Sequence, residues 1–156
     1  MPTHIANNTP GEAAEISIPN NGFFPDLSLT DFKTQYRVDN PVSDEAARMA
    51  VQMAMITTNG VLATWHAEQI ASGYLNLEVV PAPTYEDISE KVLQYQTAVY
   101  YRAKADIVDQ YRDYDTTKSG HDRADEMESK TDDYIAKAHN AVSDLLGKSR
   151  SVVELI

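Results

Sequence analysis

Residues 84–116 read TYEDISEKVLQYQTAVYYRAKADIVDQYRDYDT, and the periodicity of this stretch decides the fold class. Apolar side chains fall at Tyr85, Ile88, Val92, Tyr95, Val99, Ala103, Ile107, Tyr111 and Tyr114, with every gap three or four residues. That spacing places them on one face of an α-helix. Neither Gly nor Pro interrupts the pattern. Thr84 is placed as the N-cap, with Asp87 three residues on in a capping-box arrangement. Such a helix would be about 50 Å long, so the rest of the chain is expected to pack along it.

Two further helical stripes flank this one. Upstream, Ser43-Asp44-Glu45 combines an N-cap with acids at the positive end of the helix dipole. The stripe that follows takes in Ala46, Met49, Ala50, Met53, Ile56, Val61, Trp65 and Ile70, and Gly73 closes it as a C-cap. Gly60 lies inside it, where it weakens a helix by about 1 kcal/mol relative to Ala; a close helix approach is one reason to place it there. Downstream, Lys118-Ser119-Gly120 is a turn, and Asp122, Asp125 and Glu126 load the start of a third helix. Its stripe is Ala124, Met127, Thr131, Tyr134, Ala138, Val142 and Leu145, ended by Gly147. A short helix, Leu29 to Arg37, capped by Ser28, precedes all three, and residues 75–83 form a connector. The expected fold is therefore mainly α: a bundle of three long helices plus a short N-terminal helix, with extended N- and C-terminal arms.

The arms are read from composition. Residues 1–22 carry turn chemistry at Asn7-Asn8-Thr9-Pro10-Gly11 and Pro19-Asn20-Asn21-Gly22 around a brief alternation, Ala14 to Ile18, that suits a short strand. An isolated strand needs a partner. Phe23-Phe24-Pro25-Asp26 is an aromatic anchor, either plugging the helical core or meeting a second subunit. Residues 148–156 change character again, with Lys148 and Arg150 ahead of Ser151-Val152-Val153-Glu154-Leu155-Ile156, an apolar end that also calls for a partner. The domain boundaries expected are 1–22, 23–147 and 148–156.

With 156 residues the chain suits one domain with a real core. It has no cysteine, which excludes disulfides, thiolate metal sites and cysteine nucleophiles and suggests a reducing compartment. Its start lacks the basic and apolar regions of a signal peptide, and no apolar run approaches the roughly 20 residues of a membrane span. A soluble protein, intracellular at synthesis, is expected. The net charge is −11, with 13 scattered Lys and Arg, which argues against stable binding to nucleic acid.

No catalytic motif and no phosphate-binding glycine loop is present. His121, Asp125 and Glu128 share one helix face, and Asp106, Asp109 and Asp113 share another, so a metal-binding helical enzyme is an alternative reading. The inward Glu-x-x-His of di-iron bundles is absent, however. Tyr100 and Tyr101 flank the core stripe, as residues of a core edge or a subunit interface would. An acidic module that mimics DNA is a further alternative.

The order of these features resembles the head completion proteins of contractile-tailed temperate phages. The features are the polar arm, Phe23-Phe24-Pro25-Asp26, a helix ending Ile70-Ala71-Ser72-Gly73-Tyr74, a helix ending Tyr111-Arg112, the Lys118–Asp125 turn, and the tail Gly147-Lys148-Ser149-Arg150-Ser151-Val152-Val153. The resemblance implies a non-enzymatic adaptor without cofactor or membrane. It would sit in the virion neck after assembly in the host cytoplasm. There it would form a homo-oligomeric ring, twelvefold like the portal, between the portal protein and the tail terminator or another neck protein. By the same resemblance, Lys148, Arg150, Val152, Val153, Leu155 and Ile156 would dock on the portal. Phe23, Phe24, Tyr100 and Tyr101 are the residues expected between subunits.

Overall fold

The computed structural model describes residues 14–38, 41–112 and 120–149, the side chains of 120–126 excepted. In chain order they form β1 (Ser17–Ile18), β2 (Leu27–Ser28), α1 (Leu29–Gln35), α2 (Asp44–Val61), α3 (Ala63–Ala71), a single 3-10 turn at Leu77–Val79, β3 (Thr84–Tyr85), β4 (Ile88–Ser89), α4 (Glu90–Arg112) and α5 (Gly120–Leu145). The fold is mainly α. α4 is the central member, packed against α5 along most of its length and against α2 on another side.

α4 buries Val92, Tyr95, Val99, Ala103 and Ile107, as its periodicity predicts. It also buries Ala98, Tyr100 and Ala105, because two neighbouring helices enclose more of its circumference than one stripe. α5 runs antiparallel to it: Tyr101 stacks on Tyr134 near the middle, and the Lys91 ammonium, at the start of α4, donates to the Leu145 carbonyl at the end of α5. That ammonium sits where the α5 dipole is negative. Gly147 (φ +67°) follows in a Schellman closure, with Lys148 N–H donating to Ser143 O and Gly147 N–H to Asp144 O. Gly73 (φ +93°) closes α3 in the same way.

Three sequence expectations need correction. First, the helix expected from Thr84 begins at Glu90. Residues 84–89 are a hairpin, with Thr84 opposite Ser89 and Tyr85 opposite Ile88. Its two-residue turn, Glu86-Asp87, has φ of 49° and 64°, as type I′ geometry requires. Tyr85 and Ile88 mimic a helical pair because a two-residue hairpin also sets its facing residues three apart. Second, the helix expected over 43–72 breaks at Leu62 into α2 and α3. Third, its buried face is not the expected stripe. Ala47, Ala50, Val51, Ala54, Met55, Thr58 and Leu62 are buried, whereas Met49, Met53, Ile56, Val61 and Ile70 are exposed. Alanines at 47, 50 and 54 leave little bulk between α2 and α4, and the larger side chains turn outward. Ser43 does cap α2, accepting from Ala46 N–H at 3.1 Å, and Ser28 caps α1, accepting from Asp31 N–H at 3.1 Å.

The short N-terminal strand pairs within its own chain, Ile18 opposite Leu27, extended by Leu29 N–H donating to Ile16 O at 2.8 Å. Ile18 is fully buried. Residues 16–22, read from the sequence as part of an arm, therefore belong to the body of the fold.

Candidate interaction surfaces

The aromatic anchor lies inside the chain. Phe23 and Phe24 are 5% and 2% exposed. Phe23 lies 4.2 Å from the His66 ring, and Phe24 stacks on Tyr95 at 4.7 Å with 9° between planes. Beneath them three polar side chains close a ring of hydrogen bonds. Tyr95 Oη donates to Asn59 Oδ1 (2.6 Å), Asn59 Nδ2 to Asn20 Oδ1 (3.0 Å), and Asn20 Nδ2 to Tyr95 Oη (2.8 Å). Burial pushes the pKa of the Tyr95 hydroxyl up to about 12, against the opposing effect of its hydrogen bonds with Asn20 and Asn59. Tyr100 is also internal: its hydroxyl donates to Ser28 O (2.9 Å) and accepts from Ser28 N–H (3.1 Å), and burial raises its pKa as well. Phe23, Phe24 and Tyr100, expected between subunits, are thus spent on the chain's own core. The polar ring escaped sequence reasoning because its members lie in three separate segments.

Tyr101 faces a different environment. With Tyr36, Tyr134, Gln35, Arg37, Lys104 and Lys137 it lines an open cradle of about 380 Å³. Tyr36 meets Tyr101 edge-on at 5.0 Å, and Tyr101 stacks on Tyr134 at 5.9 Å. The Lys137 ammonium sits over the Tyr101 ring at 5.1 Å, a cation–π contact. Lys104 Nζ donates to Arg37 O at 2.9 Å, fixing the end of α1 to α4. Three cations around three tyrosines make a basic surface on an acidic chain.

A third surface is apolar. Met49, Met53 and Ile56 stand exposed in a row on α2, at 57%, 52% and 64%. They border two open grooves of about 540 and 530 Å³, the larger floored by Ala105, Asp106, Asp109, Thr131 and Ile135. Partial burial, and then the charge of Asp109, raise the pKa of the Asp106 carboxyl, while its hydrogen bond from Gln110 lowers it. Asp109 pairs with Arg112 at 3.2 Å.

Among the described residues no three His, Asp or Glu side chains gather as a metal site. Asp113 and the side chains of His121 and Asp125 lie outside them. Lys148 is exposed just beyond the α5 cap, whereas Arg150, Val152, Val153, Leu155 and Ile156 fall outside the described residues. No helix among the described residues is long and apolar enough to cross a membrane.

Comparison with known proteins supplies the context for these surfaces. The family model described as "Phage head completion protein (GPL)" matches residues 18–156. The chain is 32% identical over 139 residues to the head completion/stabilization protein of Escherichia phage P2, covering 89% of this chain and 82% of that one. It is 25% identical over 139 residues to a probable head completion/stabilization protein of Haemophilus phage HP1 (strain HP1c1), covering 89% and 91%. No solved structure gives a significant match. The matched region starts at Ile18, the second residue of β1, and takes in all five described helices: the chain belongs to the phage head completion protein family.

Proposed function

We propose that the chain is a non-enzymatic structural subunit of the phage particle that completes the DNA-filled head as an adaptor ring between the portal and the tail or its terminator. The family match over residues 18–156 carries this reading. The surfaces support it. An adaptor must hold several neighbours at once, and a basic tyrosine cradle, an apolar row on α2 and an exposed hairpin with Glu86 and Asp87 at its turn lie on separate parts of one small domain. The net charge of −11 suits a wall past which DNA moves without adhering. In this reading the ring is twelvefold, assembled in the host cytoplasm and retained in the virion neck. Portal docking falls to Lys148, Arg150, Val152, Val153, Leu155 and Ile156, by addition of an extended segment to the portal.

The test is deletion of residues 151–156. The truncated chain should keep its helical circular dichroism and melting temperature while failing to co-sediment with DNA-filled heads. Co-sedimentation at the full-length level would overturn portal docking by this segment.

A further inference from the structure

We propose that the β3–β4 tip of one copy, Glu86 and Asp87 flanked by Tyr85 and Ile88, seats in the tyrosine cradle of a neighbouring copy against Arg37, Lys104 and Lys137. The proposal rests on the multi-copy reading above and identifies the contact that joins the copies.

Four observations converge on it. The first is charge. The chain holds 24 acids and 13 Lys and Arg, and three of those cations surround one groove in which no carboxylate appears among the described lining residues. A second copy of so acidic a chain is itself an anionic partner. The second is backbone strain. Among the described residues, Arg37, Glu86 and Asp87 are the three non-glycine residues with positive φ, at 50°, 49° and 64°. Glycine or asparagine fits each position better, and the fold gains no ion pair from them: among the described residues neither carboxylate of the tip nor the Arg37 guanidinium enters one. The I′ turn and the α1 cap, in which Val38 N–H donates to Lys33 O at 3.0 Å, set these φ values; charged side chains fill them where glycine would serve, and all three fall on the two surfaces proposed to meet.

The third is exposure. Tyr85 and Ile88 are 58% and 43% exposed on opposite strands of the tip. The carboxylates thus come with two large apolar side chains, and the cradle pairs its cations with three aromatic rings. The fourth is distance. The tip lies before the first turn of α4, whereas Tyr101 and Lys104 lie more than ten residues along it, about 20 Å at the helical rise. A rigid helix keeps the tip out of its own cradle, so the occupant comes from another molecule. Because the two surfaces differ, each copy offers one of each, and the contact is heterologous: it closes into a ring where the rotation allows.

The absence of cysteine from the chain makes the test direct. Full-length protein carrying Asp87→Cys and Lys137→Cys, both exposed positions, is assembled on heads and oxidised. The expected result is a ladder of disulfide-linked chains, with no ladder from either single variant or from Asp87→Cys with Glu45→Cys. Several copies per head but only monomer bands would overturn this contact while leaving the ring intact. One copy per head would overturn the ring reading itself. In solution at high concentration, Lys137→Glu should weaken self-association about tenfold, and adding Asp87→Lys should restore it. If Lys137→Glu instead lowers affinity for a duplex oligonucleotide and Asp87→Lys leaves self-association unchanged, the cradle serves phosphate and the proposal fails.

Discussion

Tyr95 has no solvent-exposed surface, yet its hydroxyl both donates and accepts within the ring formed with Asn20 and Asn59. Tyr95→Phe keeps the stack on Phe24 but leaves Asn59 Oδ1 without its donor, and should cost about 1–2 kcal/mol in urea denaturation. The same hydroxyl sets an alkaline limit. Its folded pKa, near 12, lies above the unfolded value of 10, so its contribution to stability is complete below pH 10 and is lost as pH rises towards 12. The loss is of order 2–3 kcal/mol, and Tyr100 shifts in the same direction. Denaturation at pH 8 and pH 11 should show the decline, and Tyr95→Phe should reduce it. At the surface, Met49→Gln and Met53→Gln should change the stability of the isolated chain by less than about 0.5 kcal/mol. A loss of head association in either variant would place the α2 row in an interface.

At the level of elements, Gly60 separates two readings of α2. A close approach by another helix would leave no room for a Cβ, but among the described residues nothing beyond its own stretch of helix lies within 4 Å of the place one would occupy. Gly60→Ala should therefore stabilise the chain by about 0.5–1 kcal/mol, raising the melting temperature by a few degrees. The contrast shows where legibility ended. The caps at Ser28, Ser43, Gly73 and Gly147, the short helix α1 and the buried end of the α5 stripe (Ala138, Val142 and Leu145) were readable because each depends on local chemistry alone, whereas the Ala124 side chain of that stripe lies outside the described residues. The buried face of α2 was not, since methionine and alanine both satisfy a hydrophobic pattern and the contact with α4 favours the smaller. The 84–89 hairpin was hidden by a spacing of three that helix and hairpin share. The cradle was beyond reach: Tyr36 and Arg37, Tyr101 and Lys104, and Tyr134 and Lys137 come from three segments that only the fold brings together.

Over the whole molecule, family and helical architecture were legible from feature order, whereas the extent of the packed body was not. Ile18 and Asn20 belong to it, so removing residues 1–22 should cost several kcal/mol, about 2–5 from loss of the buried Ile18 side chain alone. Thermal melting of truncations starting at residues 14 and 23 should show a lower melting temperature for the second. The Asn20 ring also has a mechanical meaning. Asn20 is bonded at once to Asn59 on α2 and Tyr95 on α4, and its own backbone N–H donates to Asp26 at 2.8 Å. A pull on the chain ahead of Ser17 meets the β1–β2 pairing first and Asn20 next, and Asn20 passes its share to two helices. The start of the described chain is thus tied to two helices at once and not to one neighbour.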